Sequence, residues 1–323
     1  MKSPQVLCEG RYEIRKVFAD SGGMGVIYDA VDTLCANNRV LIKTTRYDSG
    51  SNAKHFQYTK EEAEKFVKQT RSILEWEKKI IVRFRNEGLN NIPSPNHFFY
   101  DRSLTLEESY GRKDNPFQLS ESLLASEPFL VLELIDGKIL SEEMRSETFR
   151  KRLETNLLVL ARELLTIFVR LHKPFSVGSQ AACFVYQDLK PANILASAGD
   201  YFTLIDFGAV TMRLGEKTTE PTAGCITAGY AAPEAQSGRE CYIDPRFDLY
   251  SLGVTLWEAV TLIDPQSLGE FPEFSLAQME GKGVSPAFIQ LVGKALQRDP
   301  NRRFSSAAQM RRVVMENLRD VLS

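Results

Sequence analysis

Cationic excess is missing from this chain. Its 323 residues carry 40 lysines and arginines against 42 aspartates and glutamates, a formal charge of −2, so no positive field exists to draw a nucleic-acid polymer or an anionic membrane as main partner. Histidine is scarce: His55, His97 and His172 do not cluster, and each reads as a surface or packing residue rather than a metal ligand or proton shuttle. The five cysteines are scattered, odd in number and without C-x-x-C spacing. That pattern points to neither a disulfide framework nor a zinc site, and a reducing, cytoplasmic setting is expected. A long apolar run is also missing. MKSPQVLCEG has no signal core, and SLGVTLWEAVTLI is short and interrupted by Glu258, so no membrane span is expected. Repeats and low-complexity tracts are absent. What remains is a chain that is 43% hydrophobic, enough for one two-lobed domain or two small ones.

The front half reads as strands with one long helix. YEIRKVF, GVIYDAVD and RVLIKTT are β-branched or aromatic runs separated by DSGG and CANN, which predicts an antiparallel meander. Residues 60–86 follow a helical period, with Phe66, Ile73, Leu74, Ile80, Ile81 and Phe84 on one stripe. Glu77 falls inside that stripe and therefore needs a cation from elsewhere. Glu75 projects among Arg71, Ser72, Lys78 and Lys79 on the expected solvated face. NHFFYD and PFLVLELI are further strands, flanking a polar stretch from Arg102 to Glu127 that reads as an exposed insertion. After the hinge-like IDGKILSEE the pattern turns helical, which predicts an α+β chain of two lobes, 1–135 and 136–323, with a cleft between them.

DSGGMGVIY places Gly22, Gly23 and Gly25 between two strands, as a phosphate-cradling loop or an ordinary hairpin turn. Lys43 ends the strand VLIK, as a snorkelling strand end or as a phosphate ligand that also supplies the charge Glu77 lacks. The strongest signal is DLKPAN followed by DFG. Its five fixed letters arise by chance about once in several million positions. Phosphoryl transfer needs a group to orient and deprotonate a hydroxyl, cations on the developing charge, and oxygen ligands for those cations. Asp188 suits the first role, Lys190 offsets charge, and Asn193 and Asp206 offer hard oxygens suited to Mg²⁺.

Taken in order, GGMGVIY, VLIK, YQDLKPAN, DFG and AAPE resemble the eukaryotic-type protein kinase family. GGMGVIY and DPNRRFSSAAQM look most like its bacterial serine/threonine branch. The resemblance runs from about Arg11 to about Asn317. It implies a small antiparallel-sheet N-lobe with one helix, a larger mainly helical C-lobe, and ATP and Mg²⁺ as cofactors. By the same resemblance Lys43 contacts the α/β-phosphates with Glu77 as partner, Asp188 is the catalytic base, and Asn193 and Asp206 hold magnesium. Leu132 guards the adenine pocket, and Glu133 and Leu134 present backbone to the purine. Glu234 pairs with Arg303, Asp248 braces the catalytic loop, and Thr227 lies near Asp188. Lys190 and the AAPE segment imply a protein substrate with a serine or threonine acceptor.

Four features depart from the pattern. Tyr186 and Gln187 stand where the family has His-Arg, and the tyrosine ring is expected beside Phe207 and Ile81. A neutral Gln187 cannot neutralise a phosphate of about −1.5 to −2 charges, so activity is expected not to need phosphorylation of Thr218, Thr219 or Thr222. Asp20 replaces the first loop glycine, pointing to solvent or lowering nucleotide affinity. Glu77 lies 34 positions after Lys43, and PFSVGSQAACF lengthens the approach to the catalytic loop. These departures keep a second reading open, a pseudokinase acting as a nucleotide-binding or scaffolding module. The stretches 44–60, 102–127 and 174–184 carry no assigned role.

Overall fold

Alternation of apolar and polar residues in the front half yields strands that bury one face. In a computed structural model, which describes residues 5–19, 25–45, 60–104, 120–215, 217–218, 227–236, 244–269 and 272–323, these strands are β1 (Val6–Leu7), β2 (Tyr12–Ala19), β3 (Gly25–Asp32), β4 (Asn38–Thr45), β5 (Pro95–Asp101) and β6 (Glu127–Glu133). They form one antiparallel sheet in the order β1-β2-β3-β4-β6-β5. Tyr12, Tyr28, Val40, Ile42, Phe99 and Phe129 build its core. Lys43 pairs in register with Ile27 on β3 and Leu130 on β6, so its position is fixed from both sides. Helix α1 (Lys60–Asn86) has Glu61 and Glu62 in its first turn and Arg83 and Arg85 in its last, matching the helix dipole. A four-residue helix, α2 (Glu121–Leu124), precedes β6, so this unit has one helix more than expected.

The chain divides into two compact units, Met1–Gly88 with Pro93–Ile135, and Leu89–Ile92 with Asp136–Ser323. The second unit contains α3 (Leu140–Glu143), α4 (Glu147–Lys151), α5 (Leu153–Leu171), α6 (Arg246–Thr261), α7 (Pro286–Ala295) and α8 (Ala307–Leu322). Caps explain several starts: the Ser285 hydroxyl accepts from Phe288 N and the Ser306 hydroxyl from Gln309 N, each at 3.2 Å. Helix α6 is buried from Phe247 to Thr261, which is why most of its circumference is apolar, while Asp248, Ser251, Thr255 and Glu258 form one buried polar stripe. No helix among the described residues is long and apolar enough to cross a membrane.

Two small sheets carry the loops of interest. One joins β7 (Lys138–Ile139), β10 (Ile194–Ser197) and β11 (Tyr201–Leu204) in the order β11-β10-β7. Gly137 is required there, because a Cβ would lie 2.8 Å from the Ala196 carbonyl oxygen. The other joins β8 (Phe175–Val177), β9 (Gln180–Val185), β12 (Thr211–Leu214) and β13 (Lys217–Thr218) in the order β13-β12-β9-β8. The stretch 174–184 is therefore a hairpin, closed by stacked Phe175 and Phe184 rings 5.1 Å apart, and β9 extends along the strand that follows DFG.

Two expectations need correction. Arg71 is not on a solvated face: it is 6% exposed. Its position lies about 130° from the centre of the apolar stripe, and its partner, Glu127, is remote in sequence, so local periodicity could not locate it. The stretch from Arg102 to Glu127 is not wholly exposed either. Residues 105–119 lie outside the described part, but Ser103, Leu123 and Glu127 are buried, because its end packs against α1.

Candidate active site

The segment before Asp188 is held from beneath. Asp248 of α6, fully buried, accepts from Tyr186 N, Gln187 N and His172 Nε2, each at 2.8 Å. Gln187 adopts the left-handed conformation at φ +70°, which costs a non-glycine residue about 1–2 kcal/mol, and the two backbone bonds to Asp248 offset that cost. Tyr186 is fully buried, donates its hydroxyl to Ile205 O at 2.5 Å, and meets the Phe207 ring edge-on at 5.4 Å. The tyrosine thus links the catalytic loop to the DFG segment.

Asp188 is the hub of the loop. Its carboxylate accepts from Lys190 Nζ at 3.1 and 2.8 Å, from Thr227 Oγ1 at 2.5 Å and from Asn193 Nδ2 at 2.9 Å. Thr227 Oγ1 is also 2.7 Å from Lys190 Nζ, so a threonine 39 residues away joins the same cluster. Asn193 Nδ2 bonds the Asp188 carbonyl at 2.8 Å as well. With the amide nitrogen so engaged, the amide oxygen points away from Asp188.

Asn193 directly precedes β10, and Asp206 follows the partner strand β11, with Ile194 opposite Leu204. Ile205 N donates to Asn193 O at 2.9 Å, so both residues sit at one end of the hairpin. Asp206 is left-handed, at φ +63°, and accepts from Gly208 N at 3.3 Å. An amide oxygen and a carboxylate at one hairpin end are hard, oxygen-only donors, the chemistry that Mg²⁺ selects. Among the described residues no group of three or more His, Cys, Asp or Glu could hold a metal ion.

In the other unit Lys43 Nζ meets Glu77 at 2.9 Å from Oε1 and 2.8 Å from Oε2, with the lysine side chain 13% and the glutamate 2% exposed. The helical phase that left Glu77 without a cation ends here. A Cβ at Gly25 would stand 3.3 Å from Lys43 Cε, so the glycine lets β3 pass close over the lysine stem. Leu132 and Glu133 end β6, and Glu133 is tied to Ser94 by its own N–H to Ser94 O at 3.1 Å and by Ser94 N to Oε1 at 2.7 Å. Leu134 follows, partly exposed. Asp20, Gly22, Gly23, Thr219 and Thr222 lie outside the described residues, and Thr218 is described only through its backbone in β13.

Further braces lie outward. Arg303, with a fully buried side chain, forks onto Glu234 through two 2.7 Å bonds and stacks over Tyr250 at 4.8 Å. Burial pushes the Cys183 thiol up and keeps it protonated. Sequence reasoning missed His172 as a brace of Asp248, and it missed the Arg71–Glu127 pair. A histidine ending a helix 76 residues before its partner leaves no periodic signal.

Comparison with known proteins agrees with this geometry. The chain is 29% identical over 324 residues to a Streptomyces coelicolor protein named as a serine/threonine-protein kinase, covering 96% of this chain and 40% of the relative. It is 29% identical over 196 residues to the serine/threonine-protein kinase PknB of Mycolicibacterium smegmatis, covering 57% of this chain and 29% of that protein. With serine/threonine-protein kinase D of Synechocystis it shares 28% identity over 316 residues, 93% of this chain and 51% of the relative. The chain thus spans about half or less of the length of these relatives. The sequence family described as protein kinase domain matches residues 120–315, more than half of the chain and inclusive of Asp188, Asn193, Asp206, Glu234 and Arg303, and this chain therefore belongs to the protein kinase domain family.

Proposed function

We propose that this chain is an ATP- and Mg²⁺-dependent protein serine/threonine kinase. The observation that carries the reading is the Asp188 carboxylate, gripped by Lys190, Asn193 and Thr227. Three donors fix its orientation, so it can accept the hydroxyl hydrogen of an incoming serine or threonine without reorganising. As the hydroxyl oxygen bonds to the γ-phosphorus, its proton passes to Asp188, the bond to the β-phosphate oxygen breaks, and ADP leaves with the electron pair. Lys190 holds its ammonium beside the reacting groups and offsets negative charge on the phosphoryl in transit.

Asn193 and Asp206 are the residues that would hold Mg²⁺, which when bound neutralises charge on the terminal phosphates. Lys43, oriented by Glu77, contacts the α/β-phosphates, and the backbone at Gly22, Gly23 and Gly25 approaches them. Leu132 lines the adenine position, while Glu133 and Leu134 offer backbone to the purine. A cytoplasmic setting suits this chemistry: among the described residues Cys8, Cys35 and Cys183 are free thiols. Gln187 is neutral, and its buried side-chain nitrogen has no hydrogen-bond partner among the described residues. Transfer therefore does not depend on a phosphate at Thr218, Thr219 or Thr222, since no arginine stands there to receive it.

The test is transfer of labelled phosphate from ATP and Mg²⁺ to a generic basic protein by the purified chain, beside Asp188→Asn. The variant should be slower by about 10²–10⁴-fold. Equal silence from both, with nucleotide still binding, would overturn the enzyme in favour of a nucleotide-binding module. Alanine at all three threonines should leave transfer within about twofold of the parent; abolished transfer with an intact fold refutes phosphate independence.

A further inference from the structure

Helix α1 buries a second ionic residue besides Glu77. Six positions earlier, Arg71 donates Nε and Nη2 to Glu127 Oε2 at 3.2 and 2.8 Å, and Nη1 to Ser126 Oγ at 2.9 Å. Glu127 is fully buried at the start of β6. Its other oxygen accepts from the hydroxyl of Thr44 at 3.2 Å and from that of Thr45. Thr44 directly follows Lys43 on β4. One carboxylate therefore ties the N-terminal half of α1 to the strand that carries the lysine. Beside it Leu123 of α2 packs on Val67 of α1, with Phe66 and Leu124 at the margin.

Among the described residues, Ser126, Glu127, Leu123 and Leu124, all from the end of the insertion before β6, meet α1 in this contact. A buried ion pair contributes little stability compared with apolar residues of the same volume, so its value lies in fixing register. The guanidinium fork accepts one rotation and one height of the helix, because a slip of one residue turns α1 by about 100° and moves it about 1.5 Å. Glu77 lies less than two turns further along the same rigid rod. Its carboxylate reaches Lys43 only in the register that the fork selects.

We propose that the segment Ser120–Glu127 is an intrachain clamp that sets the pose of α1 and so keeps Glu77 on Lys43, with Arg71, Glu127 and Leu123 as positioning residues. The clamp rests on reading Lys43 and Glu77 as the pair that holds the nucleotide phosphates. It makes the paired pose the resting state of the chain, with no separate activating partner needed to press the helix into place.

The experiment uses the full chain and the double variant Arg71→Met/Glu127→Leu, which removes both charges together and leaves none stranded. Its melting temperature stays within a few degrees of the parent. If the paired pose falls to about one tenth of molecules, apparent affinity falls by that fraction. KM for ATP then rises about tenfold, while kcat at saturating ATP stays within about twofold because bound nucleotide reselects the pose. In nucleotide-free protein, amides around Glu77 exchange hydrogen about tenfold faster. Leu123→Ala, a milder change on the apolar contact, gives the same split at about threefold and carries the test if the double variant does not fold.

An unchanged KM in the folded variants overturns the clamp, whatever exchange shows. So does a loss confined to kcat in proportion to unfolded protein, which is what a merely structural role predicts. Lys43→Met separates the two levels. If it leaves KM and kcat untouched, the phosphate-holding reading fails and the clamp with it; if it abolishes transfer while the clamp variants keep the parent KM, the clamp alone fails.

Discussion

Replacing Asp248 by asparagine tests how the catalytic loop is held. The carboxylate accepts three bonds of 2.8 Å, from Tyr186 N and His172 Nε2 on one oxygen and from Gln187 N on the other. An amide oxygen can keep the first pair. Its NH₂ must then face Gln187 N–H, donor against donor, in a site with no solvent access. An unsatisfied buried donor costs about 1–3 kcal/mol, and two bonds that lose charge assistance weaken by roughly half. The sum is about 3 kcal/mol, which lowers the midpoint of urea unfolding by on the order of 1–2 M. Activity should fall separately. Gln187 stands at φ +70° and, released, relaxes by about 1–2 kcal/mol, so kcat/KM of the folded protein drops about 5- to 30-fold. Urea titration and steady-state transfer, each on the same preparation, report the two effects. An unchanged midpoint with kcat/KM within twofold of the parent would refute the bracing role.

Other expectations follow from buried charges. Glu258 accepts from the Tyr230 hydroxyl at 2.5 Å, and burial pushes its carboxyl up to about 7 from an ordinary value of 4.5. A raised acid contributes stability fully below pH 4.5 and loses it as pH rises through about 7. Relative to the parent, Glu258→Gln should therefore gain about 3 kcal/mol between pH 4.5 and pH 8, and parallel unfolding curves at both pH values would disprove it. Arg303→Lys loses the fork onto Glu234 and the stacking over Tyr250. It should cost about 3 kcal/mol and lower the melting temperature by on the order of 5–10 °C; a shift under 2 °C would show the pair to be ornamental. Tyr186→Phe removes one hydrogen bond to Ile205 O but keeps the ring against Phe207. A loss of about 1 kcal/mol is expected, readable in the same urea titration.

How much of this was readable in the letters depended on how local each signal was. Strand alternation and the helical stripe around Leu74 marked the first unit's elements, because burial on one face leaves a period. Glu77 was placed by phase, and the structure puts Lys43 Nζ 2.8 Å from it. Glu234 with Arg303, Asp248 beneath Gln187 and Thr227 beside Asp188 came from the family resemblance; no spacing or periodicity could have paired residues 69, 61 and 39 positions apart. Arg71, expected on a solvated face, was misplaced for the same reason, whereas His172 is the packing residue expected, stacked on Phe168 at 5.5 Å, with only its bond to Asp248 unforeseen. A charged residue far from the apolar stripe looks solvated until a remote carboxylate is brought to it by tertiary packing.

The departures from the family pattern have a common physical character. Gln187 removes a cation that would need a phosphate to satisfy it, and the same chain adds the hairpin β8–β9, whose longer strand pairs with Thr211–Leu214 through four residue pairs. Gly215 N extends that contact to Ala181 O at 2.7 Å, and β13 continues the sheet through Thr218. The insertion before β6 likewise lays Leu123 and Glu127 against α1. In each case backbone pairing or a buried side chain supplies contacts to a segment that carries, or directly follows, a site residue. Such contacts form on folding and are present at all times, whereas a phosphate clamp is conditional on modification. A chain built this way is expected to be set by its own sequence rather than by a phosphorylation cycle, and shortening the β8–β9 hairpin to a tight turn should make transfer fall even though Asp188, Asn193 and Asp206 are untouched. Full activity after that deletion, in a chain that still melts cooperatively, would show that the hairpin is dispensable.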